Sequence, residues 1–243
     1  MNGRLTEIWV YLAASPLLGL TVTLLAYQGA WWVCRRCRFH PLANPVLLAV
    51  TALVLLLSLT RVPYATYFEG AQFVHFLLGP ATVALAIPLY AQLPRIRQAA
   101  LPLLAALLAG SLTAIVAAVA VARLAGATPA TVLSLAPKSV TTPIAMGIAE
   151  RIGGLPSLTA VLVILTGILG AVLGPVLFRR LHLGDEAARG LAMGVASHGI
   201  GTARAFQISE QSGAFAALGM GLNGLLTALL VPVLLPLLRH WLG

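Results

Sequence analysis

Long apolar runs alternate with short arginine-bearing stretches along almost the whole chain. A run of about 20 apolar residues matches the hydrocarbon thickness of a bilayer, so each run predicts a membrane helix. Eight segments stand out, at 8–33, 42–60, 70–91, 99–124, 130–151, 157–178, 186–209 and 214–238. The first connection carries Arg35, Arg36 and Arg38, and the third carries Arg95 and Arg97. The second, with Arg61 and Glu69, is nearly neutral. Basic connections stay in the cytoplasm, which agrees with two full crossings between the first and the third. The fifth segment then decides the rest of the topology. A full crossing at 130–151 puts Arg179 and Arg180 outside, whereas a segment that enters and leaves on one side keeps them inside. The positive-inside rule favours the re-entrant form.

The pattern also repeats. Gly110, Leu112 and Ala114 recur 57 residues later as Gly167, Leu169 and Ala171, and again as Gly224, Leu226 and Ala228. The later two stretches share Gly-x-Leu-x-Ala-x-Leu-x-Pro-Val-Leu, ending at Leu177 and Leu234. Between these helices, 136–153 aligns with 196–213 at a spacing of 60: Ala136, Thr142, Ala145, Ile148, Glu150 and Gly153 fall on Ala196, Thr202, Ala205, Ile208, Glu210 and Gly213. At that spacing Lys138 falls on His198. The expected fold is an all-α integral membrane protein with about six full spans and two broken or re-entrant segments in an inverted-repeat arrangement. Residues 1–243 form one transmembrane domain in this reading, with 1–60 as peripheral N-terminal helices and 70–240 as the core.

Composition narrows the class further. The chain is 60% hydrophobic and 9% charged, with a net charge of +9 carried by 14 arginines and one lysine against six acids. In a soluble protein that charge would raise nucleic acid as a partner. Here the arginines lie between apolar runs and face lipid headgroups, so no nucleic acid is expected. Cys34 and Cys37 are too few for a disulfide framework. With His40 they give at most three metal ligands on a basic loop, and no metal or cofactor is expected; the alternatives for these cysteines are lipidation or no role. The opening 1–32 is too long and too poorly matched for a cleaved signal peptide and predicts a first span.

The candidate chemistry lies in the two odd segments. Lys138 is the only lysine, placed mid-chain between Pro137 and Pro143 and beside Ser139, Thr141 and Thr142. A cation inside a span costs about 2.5–3.5 kcal/mol on insertion scales. Two prolines six apart remove donors and open the helix, and the freed peptide groups need partners. An ammonium with nearby hydroxyls suits carboxylate oxygens. The alternative is an interfacial lysine that snorkels to headgroups. The second segment reads Ser197-His198-Gly199-Ile200-Gly201-Thr202-Ala203-Arg204. Gly199 and Gly201 permit irregular backbone, His198 is suited to bind a solute or carry a proton, and Arg204 supplies a further cation. The alternative is a histidine that only packs helices. No acid sits at the centre of a span, which argues against a carboxylate sodium site and for an anionic solute with proton coupling. A third interrupted stretch contains Gly79, Pro80, Thr82 and Pro88, either bordering a solute path or kinking a packed helix. No nucleophile–base pair, phosphate loop or dinucleotide motif appears, so no enzyme is expected.

These motifs resemble the LrgB/CidB family of antiholin-like membrane proteins. The resemblance rests on LLGPATVALAIPLY at 77–90, LAPKSVTTPIAMGIAERIGGLPSLTAVLVILTGILGAVLGP at 135–175, and ARGLAMGVASHGIGTARA at 188–205. It covers roughly 65–235, and residues 1–60 carry little of it. It implies one of two functions. One is an antiholin-like role with a small LrgA/CidA partner in controlling murein hydrolase activity and lysis. The other is carboxylate transport, as in the related plastid glycolate/glycerate translocator and in relatives implicated in pyruvate uptake. No LrgA-like region is evident in this chain, so a separate partner is implied. The residues themselves favour transport of a small monocarboxylate or hydroxycarboxylate; the expected setting is the bacterial cytoplasmic (inner) membrane, and the expected assembly a homo-oligomer.

Overall fold

A computed structural model describes residues 16–40 and 43–242. Residues 8–15 of the expected first span and residue 42 of the second lie outside the described residues. All regular structure among the described residues is helical. They fall into two compact units that divide after Ala84.

The first unit contains α1 (Pro16–Arg36), α2 (Pro45–Thr60), α3 (Tyr64–Phe76) and α4 (Leu78–Ala84). Asn44 starts α2 by accepting from the amides of Val46 and Leu47 at 2.9 and 3.1 Å, ahead of Pro45 in the first turn. Gly19 sets the crossing of α1 and α3, since a Cβ there would stand 2.6 Å from the Tyr67 carbonyl oxygen. The Thr23 and Tyr67 hydroxyls meet at 2.6 Å across the same contact.

The second unit contains α5 (Ala86–Ala91), α6 (Leu93–Gln98), α7 (Ala100–Leu124), α8 (Pro129–Leu135), α9 (Thr142–Ile152), α10 (Pro156–Arg180), α11 (Glu186–Ile208) and α12 (Glu210–Leu242). Prolines set several of the short helices. Turns at Leu77, Leu85 and Ala99 lie three residues before Pro80, Pro88 and Pro102. A proline ring clashes with the carbonyl four residues back, which disturbs the turn just before it. The expected span at 70–91 is therefore three helical pieces.

Five stretches are long and apolar enough to cross a membrane: Leu17–Arg36, Tyr64–Ala91, Ala100–Leu124, Pro156–Arg180 and Glu210–Leu234. Pro45–Thr60 is a shorter apolar helix. Large apolar side chains such as Leu101, Leu124, Leu169 and Leu225 are exposed along them, as a hydrocarbon solvent requires.

The other two segments fold back on themselves. A straight helix of 23 residues would hold its ends roughly 33 Å apart. In α11, Ser209 Oγ instead donates to Glu186 Oε2 at 2.8 Å. Met193 packs with Ala205, and a Cβ at Gly201 would stand 2.5 Å from the Met193 carbonyl oxygen. α11 is thus a hairpin with its tip at His198, the one residue inside it with non-helical torsions. The α8–α9 segment also returns. The Leu155 amide donates to Ser134 Oγ at 2.7 Å, and Thr159 Oγ1 donates to the Ser134 carbonyl at 3.0 Å. Leu133, Ile148 and Ile152 pack together against Ile115 of α7 and Val231 of α12.

Small residues let α11 lie directly on α12. A Cβ at Gly190 would meet the Ser212 carbonyl at 2.2 Å, and one at Gly194 the Ala216 carbonyl at 2.0 Å. Glycines four apart on one helix face permit this backbone contact in membrane proteins.

Both hairpins make a topological prediction. Single cysteines at Gly184 and Glu210 should label from the same face of the membrane, as should cysteines at Thr128 and Leu155. Labelling of either pair from opposite faces would contradict the hairpin it flanks.

Candidate functional site

The first break runs from Ala136 to Thr141 between α8 and α9. Pro137 and Pro143 bracket it, and single turns replace helix: Lys138 N donates to Leu135 O at 3.1 Å and Val140 N to Pro137 O at 3.3 Å. Thr141 is extended and Pro143 lies in the first turn of α9. Pro137 and Ser139 are buried, Lys138, Thr141 and Thr142 are half-buried, and Pro143 is exposed. Lys138 Nζ donates to Ser139 Oγ at 3.0 Å. No carboxylate pairs with that ammonium among the described residues.

The second break is at His198, with φ 42 and ψ −134. The strain falls on the histidine itself and not on Gly199 or Gly201, the residues expected to bend. A non-glycine residue at such torsions costs on the order of 1–3 kcal/mol and needs its surroundings to hold it. Two contacts do so. His198 Nε2 lies 2.9 Å from the Val163 carbonyl of α10, and Thr202 Oγ1 donates to the His198 carbonyl at 2.8 Å. A carbonyl only accepts, so Nε2 carries a proton, and Nδ1 is the nitrogen left to gain or lose one. Gly201 serves close approach between the two arms of the hairpin.

Glycines of α10 seat this break. A Cβ at Gly167 would stand 2.8 Å from His198 Nε2, and one at Gly170 would stand 1.7 Å from Ser197 Oγ. Ser197, His198, Thr202 and Arg204 are all buried, and Arg204 donates to Gln207 Oε1 at 2.9 Å. Pro80 and Thr82 belong to the first unit, where Thr82 is exposed and donates to the Leu78 carbonyl at 2.7 Å.

The two breaks are brought together by a residue that sequence reasoning passed over. Asn223 of α12 donates through Nδ2 to the Ser139 carbonyl at 3.3 Å and to the Val195 carbonyl at 3.0 Å. Its Oδ1 accepts from Ser111 of α7 at 2.5 Å and from Thr227 at 3.3 Å. The available signal was Asn223 itself, one of three asparagines in the chain and the only amide between Gln211 and the C-terminus.

Cations and hydroxyls at two breaks inside apolar helices, with no carboxylate paired to Lys138 among the described residues, define a multi-pass membrane protein with a candidate anion site. The chain belongs to the LrgB-like family, whose model matches residues 23–237. It is 40% identical over 219 residues to YwbG of Bacillus subtilis (strain 168), covering 90% of this chain and 97% of that one. It is 31% identical over 228 residues to the holin-like protein CidB of Staphylococcus epidermidis, covering 93% and 97% of the two chains. The antiholin-like protein LrgB of Bacillus mycoides is 30% identical over 222 residues, covering 91% and 96%. No solved structure matches the chain.

The seating of the second break predicts a contrast between two glycines. Gly170→Ala forces Ser197 or α10 to move and should destabilise the purified protein by about 1–3 kcal/mol, read as a lower thermal midpoint in detergent. Gly147→Ala meets nothing within 4 Å and should leave the midpoint unchanged or raise it. Equal effects would contradict the close contact at Ser197.

Proposed function

We propose that the chain is a carrier of small monocarboxylates or hydroxycarboxylates, of the pyruvate, glycolate and glycerate kind, in the bacterial cytoplasmic membrane. The observation that carries this reading is Lys138. Its ammonium is half-buried in a broken helix and has a neighbouring hydroxyl as its partner, with no acid paired to it among the described residues. A charge held there is costly unless a counter-ion visits it. A carboxylate supplies that counter-ion and accepts from the same ammonium and from hydroxyls.

In this reading Lys138, Ser139, Thr141 and Thr142 contact the anion from the first break. Ser197, His198, Thr202 and Arg204 complete the site from the second. Nδ1 of His198 takes the coupled proton. The segments 136–153 and 196–213 are halves of an inverted repeat, re-entrant from opposite faces, and the site alternates between the two sides of the membrane. The chain works as a homo-oligomer with a small LrgA/CidA-type partner and is not an enzyme.

A second reading has its own support in the relatives, named holin-like and antiholin-like. There the chain regulates murein hydrolase activity and lysis, and the two breaks serve assembly.

Uptake by purified Lys138→Ala in proteoliposomes separates the two. The carrier reading expects saturable pyruvate or glycolate uptake to fall at least about tenfold, with the variant still folded and inserted, because loss of one charge-assisted contact is worth that much. Unchanged uptake would remove Lys138 from the site.

A further inference from the structure

Four elements of the second unit converge on one side chain. The Asn223 amide reaches the first break through Ser139, the hairpin arm before the second break through Val195, α7 through Ser111, and its own helix through Thr227. Both amide hydrogens and both oxygen lone pairs are used, and the side chain is 1% exposed. The partners also fix its orientation, since two carbonyls demand the nitrogen and two hydroxyls supply protons to the oxygen.

Five oxygens meet here, which raises a sodium site as an alternative. The bonding argues against it. The amide nitrogen already satisfies both carbonyls, and the Lys138 ammonium on the adjoining residue repels a second cation.

We propose that Asn223 is a positioning residue that clamps the two breaks, α7 and α12 into one body, so that the anion site stays assembled while that body moves as a whole. This rests on the carrier reading. A gate that opened between the two breaks would part the amide from both carbonyls in every cycle and leave buried polar groups unsatisfied in an apolar surround. Motion at the edge of the body leaves these bonds intact. The body is also packed tightly on both sides of the clamp. A Cβ at Gly110 of α7 would stand 3.1 Å from Val195 Cγ1, and one at Gly224 of α12 would stand 3.0 Å from Ile144 Cδ1.

The test uses the full chain in proteoliposomes, with Cys34→Ala and Cys37→Ala as background. Two cysteine pairs, Gly110→Cys with Val195→Cys and Ile144→Cys with Gly224→Cys, report the docking of each break. Asn223→Leu removes the amide at similar volume. Asn223→Asp is the second variant should Asn223→Leu fail to insert, and it removes the nitrogen that both carbonyls share. Either variant is expected to raise the KM for pyruvate about tenfold while changing kcat less than about threefold, the mark of a misaligned binding site. It is also expected to slow disulfide formation in both cysteine pairs severalfold. Oxidising either pair in the presence of Asn223 should leave uptake within about twofold. Loss of uptake on oxidation, restored by reduction, would overturn the one-body proposal. So would an unchanged KM, or unchanged cross-linking rates in both variants. Absence of flux from the unsubstituted chain would count against the carrier reading alone, because the cross-linking rates still decide whether Asn223 holds the breaks in place.

Discussion

Peptide groups cannot be left unpaired in hydrocarbon, and the architecture of the second unit follows from that constraint. Both unusual segments break their helical ladders in the middle of an apolar body. The first break frees the Ser139 carbonyl, and the Asn223 amide takes it up together with the Val195 carbonyl. The second break strains His198, and the Val163 carbonyl and the Thr202 hydroxyl hold it. Helices α7, α10 and α12 are thus more than a wall around the site. They supply the polar partners that let it exist.

Those partners reach the breaks only because the surrounding helices carry small residues. Gly167 and Gly170 leave room for His198 and Ser197, and Gly190 and Gly194 let the hairpin lie directly on α12. The glycines act mainly through what they omit, a Cβ at a point of backbone contact. Not every polar group is satisfied: among the described residues Ser212 Oγ is buried with no hydrogen-bond partner, and Lys138 has no carboxylate partner. Lys138 keeps one hydroxyl contact, to Ser139, and partial access.

The sequence made the helical membrane architecture legible through the length of its apolar runs, and the first break legible through Pro137 and Pro143. It also pointed to both odd segments through the alignment of Lys138 with His198. It misplaced the second bend, because glycine is the residue that tolerates positive φ most easily. Here a histidine takes that conformation, supported by a carbonyl from another helix, and such support is invisible along one chain. The interruptions near Pro80 and Pro88 were legible as interruptions, but their position depends on a clash with the preceding turn. Asn223 escaped notice because a lone amide in an apolar helix forms no motif. Its meaning lies in four partners spread from residue 111 to residue 227.

The chain belongs to the LrgB-like family, and relatives similar to it carry the names holin-like and antiholin-like. The carrier proposal rests on Lys138 at the first break, which has the Ser139 hydroxyl as its partner and no paired carboxylate among the described residues. The most direct measurement is uptake of radiolabelled pyruvate and glycolate by the purified chain in proteoliposomes under an imposed pH gradient, with a co-encapsulated dye to report leakage. Saturable uptake, stimulated by the gradient and competed by other small carboxylates with the dye retained, is the result expected of the carrier reading. Unselective dye release without saturable uptake, with or without an added LrgA-type partner, would contradict it.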